Sequence, residues 1–336
     1  MIKKALIAIS VASTFALVGA ELLVAAEEVS LKVGGRVRGY VMMTDSANDG
    51  TATKSKPMHF KADSRFGASG SKKVDGMTGS FHVERDFNKG AQGGEGNRNA
   101  YVKLATPGWA VSLGKQAQPY ICLTGKVDLD VTGGNDCPMW SGRNESLGVQ
   151  LNNVGPATIK FNYQANNKAG TDEHQTRVIP AVSMSVAGLN IDVAIVSGST
   201  KGDKGWGMAD NATATTSSES QTAFAVSGSA GAVSYGVGMN MSANKTGEAD
   251  PVTNTTTIVG VSYSLGDTGT IGFLFDSNAT VIDADTKGSN SGTRFAYATT
   301  MAGVKVGAGL RTSSAKVGDG DATSASKMYV GFQYGF

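Results

Sequence analysis

Along most of this chain the hydrophobic positions fall at every second residue. In "GAVSYGVGMNMS", Val233, Tyr235, Val237, Met239 and Met241 form one set, and Ser234, Gly236, Gly238, Asn240 and Ser242 form the other. "ATIKFNYQA" sets Ile159, Phe161 and Tyr163 against Lys160, Asn162 and Gln164, and "GVKVGAGLR" sets Val304, Val306, Ala308 and Leu310 against Lys305, Gly307, Gly309 and Arg311. A period of two places the two sets on opposite faces of a β-strand. The stretch "KMYVGFQYGF" keeps the same rule, with Met328, Val330, Phe332, Tyr334 and Phe336 sharing one face.

Sixteen segments of this kind can be placed, at about 29–43, 56–70, 76–87, 98–105, 109–116, 143–152, 157–165, 175–187, 190–197, 220–230, 232–242, 254–265, 269–277, 291–301, 304–312 and 326–336. The connectors alternate in length. Long polar stretches such as "TDSANDGTATKSK" and "STKGDKGWGMADNATATTSSES" take turns with tight ones such as "TPG", "NVGP", "AGL" and "GDTG". Short turns therefore gather on one rim and long loops on the other, and no helical stripe appears between strands.

A soluble β-sandwich also alternates, but its apolar face packs on a second sheet while its polar face meets water. Here the polar face is glycine-rich and carries Arg36, Arg38, Lys160, Arg294, Lys305 and Arg311 in mid-strand. Strands of about ten residues match the length that crosses a bilayer at a steep tilt. Closing the sheet removes the unpaired edges that hydrocarbon does not tolerate. The pattern predicts an all-β fold, a transmembrane antiparallel β-barrel of sixteen strands with its oily face on lipid. An arginine on the lipid face at the midplane costs about 2–4 kcal/mol, so Arg36, Arg38 and Arg65 are expected to point inward. Parity complicates two cations: Arg98 shares a face with Ala100 and Val102, and Lys115 with Val111 and Leu113. Either a bulge intervenes or those faces pack on neighbouring subunits.

The opening "MIKKALIAISVASTFALVGA" places Lys3 and Lys4 ahead of an apolar run that reaches small residues at Ala20 and again at Ala25 and Ala26. This reads as a secretory signal peptide over residues 1–26, with cleavage after Ala20 as the alternative, leaving 27–336 as the barrel domain. Beyond it no stretch approaches the run of about 18 apolar residues that a transmembrane helix needs.

Composition narrows the classes. The net charge of +2 and dispersed lysines and arginines give no sign of a nucleic-acid partner. Cys122 and Cys137 lie close together in a chain marked for export, where a disulfide is the expected state and two unpaired thiols the alternative. Closing such a loop is worth roughly 3 kcal/mol on the chain-entropy account. "GWAVSLGKQ" has the wrong glycine spacing for a phosphate loop, and Gln116 stands where Ser or Thr would hold magnesium. His59, His82 and His174 lack metal-ligand spacing, and the pairs in "DLD", "DAD" and "DGD" lack the glutamate of a calcium loop. No cofactor, metal or enzymatic chemistry is expected.

Several stretches resemble the general diffusion porins of Gram-negative bacteria. "LKVGGRVRGYV" resembles the family's first strand, with Arg36 at its basic position, and "SRFGASGSKKVDGMTGSFHVER" its second and third, with Arg65 and Glu84 at charged positions. "RNAYVKLATPGWAVSLGKQ" resembles the fourth and fifth strands from Arg98, and "GRNESLGVQLNNVGPATIKFNYQ" the segment after the third loop, with Arg143. The resemblance implies a passive, water-filled channel in the outer membrane, built as a homotrimer, with a long third loop folded into the lumen at about 117–142. It implies pore-lining arginines, Arg36, Arg38, Arg65, Arg98 and Arg143, facing loop acids, for which Asp128, Asp130 and Asp136 are the candidates. The loop lacks the family's Pro-Glu-Phe-Gly core, and the Cys122 and Cys137 staple is not a general family feature. The aromatic strand ending in Phe332, Tyr334 and Phe336 resembles the signal by which such barrels are handed to the barrel-assembly machinery. The partners implied are outer-membrane lipid, that machinery and two further copies of the chain. A substrate-selective channel of the same fold is the first alternative, and a barrel serving mainly as adhesin or enzyme the second. The wall cations suggest a lean toward anions.

Overall fold

A computed structural model describes residues 29–47, 58–87, 96–123, 137–139, 143–167, 174–201, 216–247, 249–282, 287–318, 320 and 322–336. Sixteen strands follow one another: β1 (Val29–Ala47), β2 (His59–Val74), β3 (Met77–Phe87), β4 (Gly96–Ala105), β5 (Trp109–Ala117), β6 (Arg143–Val154), β7 (Ala157–Asn167) and β8 (His174–Val186). They continue with β9 (Leu189–Lys201), β10 (Thr216–Ala230), β11 (Val233–Thr246), β12 (Val252–Ser264), β13 (Thr270–Val281), β14 (Lys287–Met301), β15 (Val304–Val317) and β16 (Thr323–Gly335). Each pairs antiparallel with its neighbours in sequence, and β1 closes on β16 to give a complete barrel. The closing seam runs to the last residue, where Gly35 N–H donates to the Phe336 carbonyl at 2.9 Å and Phe336 N–H donates to that of Gly35 at 3.2 Å.

All sixteen predicted segments are strands, and most run longer than the period alone indicated. β10 begins at Thr216 and β14 at Lys287, because Ser, Thr, Asn and Gly at the long-loop ends still form ladder hydrogen bonds after the oily alternation has faded. Two of the tight connections have the backbone of two-residue hairpins. Asp75 and Gly76 (φ 49° and 78°), and Ala302 and Gly303 (φ 50° and 80°), both adopt the left-handed conformation that matches strand twist.

The alternating apolar set covers the outside. Phe60, Leu31, Leu113, Phe295 and Phe332 are all more than half exposed there. Trp109, Tyr235, Tyr263 and Tyr334 lie on the same face toward the short-turn rim, where an aromatic girdle meets a bilayer boundary. Inside, the wall carries two unlike patches, one charged and one apolar, and together they build the site.

Candidate functional site

On β1–β4 the inner wall is charged. Arg36 and Arg38 on β1, Arg65 on β2 and Arg98 at β4 interleave with Asp63 on β2 and with Glu84 and Asp86 on β3. Arg36 lies 3.4 Å from Asp63, which Arg38 also grips. Arg65 donates its Nε–H to Asp86 at 2.8 Å. Arg98 pairs with Glu84 and reaches Asp86 at 3.3 Å. The period of two dictates this meeting: Arg36 stands opposite Arg65, Arg38 opposite Asp63, and Arg65 opposite Asp86 in the ladder. Side chains that share a face must then touch.

Arg98 joins the group through a break in register. Glu84 pairs with Asn99 but Arg85 pairs with Asn97, so Arg98 is the extra residue of a β-bulge. Lys115 has no such break. It follows Trp109, Val111 and Leu113 on the outer face and stands opposite Glu145 on β6.

A patch of the far inner wall is small and apolar, beside the Arg177–Glu219 and Arg311–Asp276 pairs of the same side. Ile179 and Ala181 on β8, Ala194 and Val196 on β9, Ala223 and Ala225 on β10, and Ile258, Leu274 and Ala296 beyond form one buried cluster with Ile121, Leu123 and Met139 of the third loop. This cluster carries the loop into the lumen. Gln118, 1% exposed, anchors the loop's root by donating to the carbonyls of Gln116 and Asn144 at 3.0 and 3.2 Å. Ile121 and Met139 then pair as an antiparallel bridge through two backbone hydrogen bonds of 3.1 and 3.3 Å. The Cys122–Cys137 disulfide staples this neck, with a sequence separation of 15. Beyond it Leu123 is fully buried over Gly236, and Pro138 lies over Gly238, both glycines on β11. β11 is six strands from the loop's root on β5 in a ring of sixteen, so the neck crosses the lumen.

Among the residues anticipated from sequence, Arg36, Arg38, Arg65 and Arg98 converge on one patch. Arg143 begins β6, opposite Ala117 in the ladder. Asp128, Asp130 and Asp136 lie outside the described residues, as does the leader over 1–26. Phe332, Tyr334 and Phe336 all project outward, with the rings of Tyr334 and Phe336 stacked at 6.4 Å. Four participants were missed in the sequence: Asp63, Asp86, and the paired Arg177 and Glu219, which join β8 to β10 at 2.7 Å. The signal for the first two was the same parity that placed Arg65, since Asp63 lies two residues before it and Asp86 two after Glu84.

A wall of paired charges beside a stapled loop is suited to narrowing a wet passage and setting a field inside it.

Comparison with known proteins agrees with that geometry. A family model described as Gram-negative porin matches residues 5–336. The fold is similar to an anion-selective porin from Comamonas acidovorans, at TM-score 0.70 and 14% identity, over 92% of this chain and 100% of that one. It is also similar to OmpT of Vibrio cholerae in its trimer form (0.68, 13%, 92% and 100%) and to the outer membrane channel DcaP of Acinetobacter baumannii (0.67, 12%, 92% and 97%). A comparison with curated proteins gave no significant match. Sixteen closed strands, an oily exterior, a charged lumen and a family match over nearly the whole length place this chain in the Gram-negative porin family, as an outer-membrane barrel that serves passive diffusion.

Proposed function

We propose that the charged patch on β1–β4 and the stapled neck of the third loop together form the constriction of a pore for ions and small hydrophilic solutes, with a preference for anions. The observation that carries this reading is the charge count at the patch. Four guanidiniums, Arg36, Arg38, Arg65 and Arg98, share three carboxylates, Asp63, Glu84 and Asp86. The surplus is positive, and water in the lumen keeps it ionised. Arg143 adds to the basic side, while Asp128, Asp130 and Asp136 on the loop supply the facing acids of a transverse field. The structural neighbour from Comamonas acidovorans is described as anion-selective, which supports the same sign.

The same reading includes a cleaved leader over residues 1–26, with cleavage after Ala20 as the alternative. It includes a homotrimer embedded in outer-membrane lipid, supported by the trimer form described for OmpT. The strand ending in Phe332, Tyr334 and Phe336 is the handle for the barrel-assembly machinery. A channel needs no catalytic residue, and none is assigned.

Reversal potentials across a planar bilayer under a KCl gradient test the preference. The zero-current potential should take the sign of chloride permeation. A cation-selective potential would overturn it.

A further inference from the structure

The neck of the third loop has a buried side and an open side, and its disulfide lies on the open one. Ile121, Leu123 and Met139 are at most 2% exposed, all held in the apolar cluster of the far wall. Cys122 stands between Ile121 and Leu123 yet outside that cluster. It is half-buried and lines a cavity of about 420 Å³ below the neck. Among the described residues of that lining it is the one cysteine, so of the two bonded sulfurs its own belongs to the residue that the cavity reaches.

The reactivity of a disulfide depends on access and on which sulfur is attacked. A staple packed in the apolar cluster would be closed to any reagent, whereas this one borders a cavity of the size that admits a small molecule. The attacking species is a thiolate, and neighbouring ammonium groups favour that form over the thiol. Lys103 on β4 and Lys160 on β7 both line the cavity, with Asp192 on β9 as its acid.

We infer that Cys122 is a site of thiol–disulfide exchange with small anionic thiols in the lumen. In the first step the solute's sulfur bonds to Cys122 Sγ, the Cys122–Cys137 bond breaks, and its electron pair leaves on Cys137 Sγ. In the second, another thiolate attacks the solute's sulfur and releases Cys122. Two thiols are oxidised to one disulfide, the protein's disulfide is reduced, and the two protons end on Cys122 and Cys137. The neck is then left with the Ile121–Met139 bridge and its apolar contacts, so the constriction answers to the thiol content of the fluid it carries. The inference goes beyond the channel reading and uses it only to bring the thiol to the lumen.

Folded protein in detergent, treated with 2-mercaptoethanesulfonate, quenched with N-ethylmaleimide and digested with pepsin for mass spectrometry, tests it. The sulfonate adduct should lie on Cys122 and the maleimide on Cys137. Cysteamine, a cationic thiol, should react about tenfold more slowly, each rate being normalised to that on denatured protein. A K103Q/K160Q variant, its folding checked by heat-modifiable migration, should bring the two rates together. Adduct mainly on Cys137 or equally on both, a disulfide that resists both thiols until the protein is denatured, equal rates in the unaltered protein, or an undiminished difference in K103Q/K160Q would each overturn the inference. The adduct is read without any current. A protein that is modified but never conducts overturns the channel reading alone, and one that conducts but is never modified overturns the exchange site alone.

Discussion

Leu123 of the third loop occupies the space that a side chain on Gly236 would need: its Cδ2 atom stands 2.8 Å from the position of a Cβ on that glycine. The contact joins two elements 113 positions apart in sequence. The loop holds its place across the lumen because the far wall is pared down to Gly236, Gly238, Ala223 and Ala225. Gly236→Val should push Leu123 off the wall while leaving the barrel ladder intact. Removing most of a fully buried leucine costs about 2–5 kcal/mol, so Leu123→Ala should loosen the neck to a similar degree. Both variants should show noisier single-channel current, with more frequent sub-states. Quiet traces equal to wild type would mean that the neck does not set the opening.

The disulfide acts on the same neck from the other side. Cys122 and Cys137 flank the Ile121–Met139 bridge, so the staple limits how far the two loop strands separate. Reduced protein, or a C122S/C137S variant, is expected to conduct with greater current fluctuation than the oxidised form at the same mean step. Indistinguishable noise spectra would make the cysteines incidental to flow.

Arg98 bridges Glu84 and Asp86. Arg98→Ala removes one positive charge and leaves Glu84 free to attract cations, so the reversal potential should move toward cation permeation. Asp63→Asn should move it the opposite way, because Arg36 and Arg38 lose their shared anion. A shift of the same sign for both would contradict the assignment of this patch as the selectivity wall. The effect should weaken as salt rises, since screening shortens the reach of such charges.

The outer face gives a separate test of what surrounds the barrel. Val259 sits exposed in the middle of β12. Val259→Arg should cost about 2–4 kcal/mol in refolding into lipid vesicles measured by urea titration. Ser313→Arg, on the inward face of β15 two residues from Arg311, should cost well under that. Equal costs would mean that the two faces meet the same solvent.

Much of this was legible from alternation alone. The sixteen strands, the outward Tyr235 and Val237, and the inward Arg36 and Arg65 follow from a period of two, because a strand has only two faces. The position of Arg98 was not, since a bulge breaks the parity and appears only once Glu84 and Arg85 find their partners on β4. The docking patch for the loop was also hidden, although a trace of it exists. Around Ile179 and Ala181, and again at Leu274, both parities are apolar, so the alternation lapses where an inward face has to receive a hydrophobic visitor instead of water. There a patch of the inner wall grips the loop. Asp63 and Asp86 were visible by parity, but their pairing depended on the register between strands.

The most direct test of the whole account is conductance. Purified, folded protein added in detergent to a planar bilayer should raise the current in discrete steps that scale with KCl concentration, as expected of a water-filled passage through a closed barrel. Folded protein that inserts into the bilayer yet passes no current at any salt concentration would contradict it.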